Sequence, residues 1–190
     1  MANAPTSFES PVVTDYSTRS SSADSSVVLN DGSGTTKLLI RADADSAVAE
    51  QLAAPFGTAR RAGNVLVSGQ RPTEWLVLGS AEDVKDFAAG LSTDGHVSLV
   101  DYTHSRALFK LSGAGAKATL EKICGLDWDD AMTPSGCAVS ASVAKTNCDI
   151  VRFDGDRAEP SYMLACDRSF GQYLFDAILD AGDEFGIAVG

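Results

Sequence analysis

The sequence has few basic residues and no basic region. Lys and Arg number 15 against 26 Asp and Glu, which gives a net charge of −11, and the acidic excess is spread over both halves of the chain. Contacts of Lys and Arg with phosphates dominate nucleic-acid affinity, and anionic lipid surfaces attract polybasic segments in the same way. We therefore expect neither a nucleic acid nor a membrane as a partner.

Long apolar runs are also missing. None approaches the roughly 18 residues that a membrane-spanning helix needs, and residues 1–10 have neither the basic stretch nor the apolar run of a signal peptide. We therefore expect a cytoplasmic protein. A chain of 190 residues buries about 70% of its unfolded surface, so its core needs no disulfide or metal.

Close cysteine pairs, which zinc sites usually use, do not occur. Each cysteine lies in or beside an apolar stretch, where a free thiol behaves as a small hydrophobic group. We therefore predict reduced, buried or half-buried thiols at Cys124, Cys137, Cys148 and Cys166.

Histidine is equally scarce, with two in the chain. His104 stands beside Ser105 with Asp101 nearby, which resembles the residue types of a catalytic triad. Neighbouring residues on a strand point to opposite faces, so we do not expect His104 and Ser105 to meet. His96 is predicted at a solvated strand start.

A glycine-rich segment is the most specific general motif present. Gly113-Ala-Gly115-Ala-Lys-Ala118 follows a predicted strand and opens a predicted helix, as a dinucleotide-binding fingerprint does. That fingerprint also needs a second parallel strand carrying an acid about 20 residues on, whereas here Gly125 and an acidic loop follow. We therefore favour a glycine-lined turn that lets the helix pack closely.

Three further groups of residues have a structural interpretation beside a functional one. Asp127, Asp129 and Asp130 lack the spacing of a calcium loop, and a solvated acidic loop is favoured. The candidate sites of concentrated positive charge are Arg60, Arg61 and Arg168. Of these, Arg168 could hold a carboxylate or cover a sheet edge. Trp75 and Trp128 are predicted as core or interface aromatics.

Residues 1–36 differ from the rest because nine of them are serines. Such a stretch buries too little apolar surface to offset its ordering entropy. We predict a flexible Ser-rich arm over 1–36 and a single compact domain over 37–190. Phe8, Val12, Val13 and Tyr16 are candidate anchors if the arm becomes ordered against a partner.

From residue 37 onward, short strands and helices alternate. Apolar periodicity and turn residues predict helices at 45–54, 80–89, 116–124 and 169–181, and strands at 37–41, 64–68, 74–78, 96–102, 105–111, 137–144, 149–153 and 160–166. The order from 74 onward is that of a ferredoxin-like βαββα unit.

A strand-then-helix piece recurs, at 74–89 and at 160–181. Both copies have an aromatic residue early in the strand, Trp75 and Tyr162, and a serine near the helix start, Ser80 and Ser169. We therefore predict an α+β fold, with helices packed on antiparallel sheets built from related pieces.

Several motifs also occur in the order and spacing of a known family. They are Glu74-Trp-Leu-Val-Leu-Gly79, Val100-Asp-Tyr-Thr-His-Ser-Arg-Ala107, Leu111-Ser-Gly113, Leu120, Cys124-Gly-Leu-Asp127, Pro160-Ser-Tyr-Met-Leu, Asp167-Arg-Ser-Phe170 and Leu174-Phe-Asp-Ala-Ile-Leu179. Together they resemble the gamma subunit of heterotetrameric sarcosine oxidase, and Ser10-Pro11 resembles its N-terminal segment. The resemblance covers most of the chain from about Lys37.

That family is related to the folate-binding aminomethyltransferases, the glycine-cleavage T-protein fold, so the resemblance implies a similar fold here. Val143-Ala-Lys-Thr146 resembles a stretch that the T-protein continues with Gly-Tyr-Thr-Gly-Glu. Here Asn147-Cys148-Asp149 follows instead, so this part of the folate site is missing. We find no counterpart of the T-protein's catalytic aspartate segment either.

The resemblance implies a role within an enzyme complex. The assembled oxidase demethylates sarcosine to glycine with oxygen as acceptor, forming hydrogen peroxide and formaldehyde or, with tetrahydrofolate, methylenetetrahydrofolate. FAD, FMN, NAD, tetrahydrofolate and zinc are expected on partner subunits. For this chain the resemblance implies a non-catalytic gamma subunit that binds alpha, beta and delta subunits and has no catalytic, cofactor-binding or metal-binding residue of its own.

Two other hypotheses remain open from the sequence. One is a stand-alone folate-binding protein of the aminomethyltransferase superfamily. The other is an unrelated acidic adaptor domain.

Overall fold

The computed structural model describes residues 7–19, 25–154 and 159–190. Within these residues the chain forms, in order, β1 (Val27–Asp31), β2 (Thr36–Arg41), α1 (Ala47–Leu52), β3 (Ala59–Ala62), β4 (Val65–Arg71), β5 (Glu74–Gly79), α2 (Ala81–Ala89), β6 (Ser98–Asp101), β7 (Arg106–Ser112), α3 (Ala116–Ile123), β8 (Ala138–Val143), β9 (Thr146–Arg152), β10 (Ser161–Asp167), α4 (Gly171–Gly182) and β11 (Ile187–Val189). Among the helices of this described part, none is long and apolar enough to span a bilayer.

The strands form two sheets. The five-stranded sheet has the order β3-β4-β5-β2-β6, and the six-stranded sheet has the order β11-β1-β7-β10-β9-β8. Neighbouring strands are antiparallel except for β1 and β11, which are parallel. The predicted α+β class with antiparallel sheets is thus confirmed.

The two sheets are built from one repeated unit. From β2 to β6 and again from β7 to β11, the chain runs strand, helix, three strands, helix, strand. The strands take equivalent places in their sheets, except that β1 inserts between β7 and β11. The predicted recurrence of a strand-then-helix piece corresponds to β5–α2 and β10–α4, at the same step of each unit.

The molecule has four layers. Apolar side chains of α1 and α2 pack on the outer face of the five-stranded sheet, and those of α3 and α4 pack on the outer face of the six-stranded sheet. The inner faces meet each other through a third apolar cluster, which includes Leu66, Leu76, Leu78, Leu108, Val151 and Ala165. Because successive side chains of a strand point to opposite faces, the central strands are apolar on both sides.

Strand β1 contradicts the predicted arm over residues 1–36. Val27 and Leu29 are fully buried in the core of the six-stranded sheet, and β1 pairs with β7 and β11. The pairing satisfies the backbone of a short segment whose own apolar content is small. Residues 1–6 and 20–24 of the predicted arm lie outside the described residues.

Residues 7–19 pack on the chain itself. Tyr16 lies against Phe175 of α4, with 5.3 Å between ring centroids, and Val12 joins the core of the six-stranded sheet. Phe8 lies against His104 at 5.5 Å. Three of the four candidate anchors therefore have a site on this chain, whereas Val13 is 83% exposed.

Several predicted elements have different boundaries or pairing. The ferredoxin-like order from β5 to α3 is present, but β6 belongs to one sheet and β7 to the other. The helix predicted at 45–54 is shorter, because Ser46 caps α1 by accepting a hydrogen bond from the Ala49 amide and the helix ends at Leu52. The turn between β8 and β9 is shorter than the predicted 145–147. Ala144 and Lys145 both adopt positive φ, and β9 already starts at Thr146. Strands β3 and β11 were not predicted.

Candidate functional site

Two clefts open at opposite ends of the layer between the sheets. The first, which we call the arginine pocket, has a volume of about 280 Å³ and is lined by polar residues that include Arg41, Gln70, Arg71, Glu74, Arg106 and Asp149. The second, the apolar cleft, has a volume of about 270 Å³ and includes Arg61, Asn64, Leu66, Leu108, Lys110 and Met163. Each cleft takes residues from both sheets.

A β-bulge brings two consecutive residues into the arginine pocket. Gly69 pairs with Trp75 and Arg71 pairs with Glu74, so Gln70 is the extra residue on β4. In a regular strand, Gln70 and Arg71 would point to opposite faces. The bulge re-aims the chain, and both side chains line the same pocket.

Two arginines flank one carboxylate at the rim of the arginine pocket. Arg41 Nε donates to Glu74 Oε1 at 2.9 Å, and Arg71 Nη1 donates to Glu74 Oε2 at 2.9 Å. Both guanidinium groups are about half exposed, whereas the Glu74 carboxylate is mostly covered. The pair of contacts holds the ends of β2, β4 and β5 in one arrangement.

A second carboxylate lies deeper between the sheets. Asp149 accepts from Arg106 Nη2 at 2.7 Å and from Ser140 Oγ at 2.6 Å, and Arg71 Nη2 lies 3.8 Å away. Arg106 also donates to the Ala165 carbonyl at 2.9 Å. This network joins β7, β8, β9 and β10 and, through Arg71, reaches the other sheet.

Gln70 is the most buried polar residue of the pocket, with 4% of its surface exposed. Its Nε2 donates to Ser68 Oγ at 3.0 Å, and Ser68 Oγ donates to the Leu76 carbonyl at 3.2 Å. Because the single hydroxyl hydrogen of Ser68 is used on Leu76, the amide must present Nε2 to Ser68. Gln70 Oε1 then has no hydrogen-bond partner.

The apolar cleft has two cations at its mouth. Arg61 lies over the Phe153 ring at 5.6 Å, and Lys110 is exposed on β7. In the described part of the chain neither forms an ion pair with a carboxylate. Apolar walls with unpaired cations at the edge suit an aromatic ligand that carries a carboxylate.

The glycine-rich segment packs against Ser26 and Val27, at the start of β1. A Cβ at Gly113 would lie 2.3 Å from the Ser26 carbonyl oxygen, and one at Gly115 would lie 2.6 Å from Val27 Cγ2. The amides of Gly113 and Gly115 donate to the carbonyls of Pro160 and Ser26. The favoured interpretation, a turn for close helix packing, is therefore confirmed, and the amides of both glycines are already used.

The residue types of a triad are present around His104 but are not joined. Ser105 Oγ donates to the Tyr102 carbonyl at 3.2 Å, and Asp101 accepts from the Thr103 amide at 2.8 Å. In the described residues no hydrogen bond joins His104 to Ser105 or to Asp101, and a triad needs both. His96 is exposed and lies two residues before β6.

The acidic loop is held by its own carboxylates. Asp127 and Asp129 accept from backbone amides two residues on, and Asp130 accepts from Arg152 Nη1 at 2.6 Å. This contact with Arg152 lowers the pKa of Asp130. Within the described residues, no group of three His, Cys, Asp or Glu could hold a metal ion.

Arg60 and Arg168, which the sequence singled out, donate hydrogen bonds to backbone carbonyls. Arg60 donates to the carbonyls of Gln51 and Leu52 at the end of α1. Arg168 donates to the Glu9 carbonyl and lies over the Phe8 ring at 5.3 Å, so it binds the N-terminal segment.

The cysteines are free thiols, as predicted, and three are buried while Cys137 is partly exposed. Burial raises the pKa of Cys148 to about 12 and that of Cys166 to about 11. The thiolate is the reactive form, so these groups are poor nucleophiles. Trp75 and Trp128 are both buried in the core, as predicted.

Comparison with known proteins assigns the chain to a family. The family model described as the GCVT N-terminal domain matches residues 62–190. The chain belongs to this family. The assignment agrees with the resemblance seen in the motifs, and it identifies the two-sheet architecture as the aminomethyltransferase-like, folate-binding-domain fold.

Two solved structures share this fold. A heterotetrameric sarcosine oxidase from Corynebacterium sp. U-96, in complex with pyrrole 2-carboxylate, matches with a TM-score of 0.76 and 22% identity, over 91% of this chain and 92% of that chain. The glycine cleavage system aminomethyltransferase T from Bartonella henselae matches with a TM-score of 0.64 and 14% identity, over 87% of this chain and 48% of that chain. Among curated protein sequences, none matches significantly.

Proposed function

We propose that this chain is the non-catalytic gamma subunit of a cytoplasmic, hetero-oligomeric sarcosine oxidase. The observation that carries the proposal is the end-to-end correspondence with one chain of such an enzyme, which covers 91% of this chain and 92% of the other. The match to the aminomethyltransferase covers 48% of that chain, so the sarcosine oxidase chain is the better match in length.

The reaction of the complex would be the oxidative demethylation of sarcosine to glycine. Oxygen is the acceptor, and hydrogen peroxide and formaldehyde, or methylenetetrahydrofolate when tetrahydrofolate is present, are the other products. The alpha, beta and delta subunits would carry FAD, FMN, NAD, tetrahydrofolate and zinc. The bonds made by Ser105 and Asp101 and the raised pKa values of Cys148 and Cys166 support a structural role for this chain.

Co-purification tests the subunit role. A tagged full-length chain is recovered from its native cytoplasm, and the eluate is examined by native mass spectrometry and visible absorption. We expect one assembly that contains larger chains, flavin absorption and sarcosine-dependent peroxide formation. Recovery of the chain alone, without a flavoprotein, would contradict the proposal.

A second candidate function is folate binding by this chain itself. The apolar cleft, with a volume of about 270 Å³, would hold one part of such a ligand. Arg61 and Lys110 stand unpaired beside its apolar walls, and folates combine an aromatic ring system with carboxylates. Calorimetry with tetrahydrofolate on the isolated chain separates the two functions. Micromolar binding that weakens in Lys110→Met, but not in the control Lys85→Met on α2, would favour folate binding. Absence of heat would favour the subunit role.

A further inference from the structure

The arginine pocket has more hydrogen-bond donors than its own carboxylates use. Arg41 contacts Glu74 only through Nε, and Arg71 uses only Nη1 in a hydrogen bond. The remaining nitrogens of these two guanidinium groups have no hydrogen-bond partner in the described residues. A planar guanidinium presents five N–H donors, in a fork that matches a carboxylate.

Charge at the pocket favours a single negative charge on the ligand. Three arginines and two carboxylates line it, and the 68% exposed Asp167 also contacts Arg106 at 3.1 Å. At the rim, the guanidinium groups of Arg41 and Arg71 share Glu74 as their one hydrogen-bonded carboxylate. A monoanion balances the second guanidinium of the rim, whereas a dianion would meet repulsion from Glu74 and Asp149. The pocket is also smaller than those that hold drug-sized ligands, so the ligand must be small.

Gln70 adds a second requirement that is independent of charge. Its Oε1 can only accept a hydrogen bond, has no partner, and belongs to a side chain that lines the pocket at the bulge of β4. A buried acceptor without a donor costs free energy, and bulges frequently re-aim side chains beside ligand sites. A ligand with an N–H or O–H donor near its carboxylate meets this requirement.

We propose that the arginine pocket binds the anion of a small carboxylic acid that carries an O–H donor next to its carboxylate, the class of α-hydroxy acids. The carboxylate lies against Arg41 and Arg71, and the donor group supplies the hydrogen bond that Gln70 Oε1 lacks. This site lies at the opposite end of the sheets from the apolar cleft. It does not depend on the subunit role proposed above.

Titration followed by NMR tests the site in the full chain. Glycolate is the probe, and acetate is a carboxylate without the donor. Glycine is a zwitterion that has a donor but no net negative charge, and inorganic phosphate carries more negative charge than glycolate. We expect glycolate to bind in the millimolar range, more tightly than glycine, and to shift the Gln70 side-chain amide and Arg41 Nε signals. Acetate should bind about tenfold more weakly, because it leaves Gln70 Oε1 unpaired.

Three variants distinguish this site from unspecific binding. Arg41→Met, at a half-exposed residue, should weaken the binding of glycolate about tenfold. Gln70→Leu should make glycolate bind no more tightly than acetate. Arg19→Met removes an exposed arginine outside the pocket and should leave binding unchanged.

Three results would overturn the proposal: no shift of either signal with glycolate, equal binding of acetate, or tighter binding of phosphate. Circular dichroism and urea unfolding confirm that each variant is folded. If Gln70→Leu does not fold, the Arg41→Met titration and the comparison of acetate with glycolate decide the outcome.

Discussion

Replacement of Gly69 by alanine should destabilise the protein because the new Cβ would clash with the backbone that follows α1. Gly69 lies on β4 immediately before the bulge, where a Cβ would stand 2.5 Å from the Ala54 carbonyl oxygen and 2.6 Å from that of Pro55. Both neighbours are backbone atoms, so relief requires the segment after α1 to move by about 0.5 Å or more. The Ala54 carbonyl also accepts the indole hydrogen of Trp75 at 2.8 Å, and that bond would be strained.

The expected loss in the free energy of unfolding is about 2–4 kcal/mol. Overpacking of a well-packed site costs about 1–3 kcal/mol, and a weakened buried hydrogen bond adds about 1 kcal/mol. For a chain of this length, the midpoint of thermal unfolding should fall by about 5–12 °C. Differential scanning calorimetry and urea unfolding followed by tryptophan fluorescence measure both quantities.

Gly125→Ala is the matched control, because nothing lies within 4 Å of a Cβ at Gly125 and its φ is not positive. Its stability should remain within about 0.5 kcal/mol of the parent protein. If Gly69→Ala is as stable as Gly125→Ala, the contact between β4 and the segment after α1 does not exist as described.

Three other predictions concern buried polar and thiol groups. Burial lowers the pKa of Lys37 from 10.5 to about 8, so the native state loses this proton at a lower pH than the unfolded state does. The free energy of unfolding should therefore rise by up to about 3 kcal/mol between these pH values. Urea unfolding across that range should show a smaller rise in Lys37→Met. Arg152, whose side chain is 7% exposed, contacts two carboxylates. Arg152→Met should lower the free energy of unfolding, measured by thermal unfolding, by about 3–5 kcal/mol. Arg19→Met, which removes an exposed ion pair, should lower it by about 1 kcal/mol or less. Cys148 and Cys166 should react with a thiol reagent at neutral pH only after unfolding; fast labelling of the native protein would show that they are accessible.

Local sequence was sufficient for elements whose determinants lie within a few residues. Ser80 was predicted near the start of α2, and it caps that helix by accepting from the Asp83 amide at 3.1 Å. Trp75 and Tyr162 were predicted as equivalent positions, and each is the second residue of its strand. Capping and side-chain alternation are short-range effects, so the pattern alone indicates them.

The arginine pocket could not be predicted because its contacts join distant parts of the chain. Arg106 and Asp149 stand on β7 and β9, with β10 between them, and nothing in the flanking residues of either indicates the other. The bulge at Gln70 likewise depends on how β4 pairs with β5. One signal was present: Gln70, Arg106 and Asp149 are polar residues that border or interrupt the apolar runs of β4, β7 and β9. Because a buried polar residue is informative, such interruptions mark positions to compare across strands.

Strand β1 explains why the two sheets differ in their number of strands. In the first unit β6 pairs directly with β2 and remains exposed along its length. In the second unit β1 stands between β7 and β11, and Ile187 and Ala188 of β11 are buried. The N-terminal residues therefore supply what the first unit lacks, a further strand with its own apolar side chains. Serines do not prevent this, because Ser10 donates to Asp31 and Ser26 donates to the Phe185 carbonyl. A Ser-rich segment can thus belong to a folded body when its hydroxyl groups find acceptors on the elements that it joins.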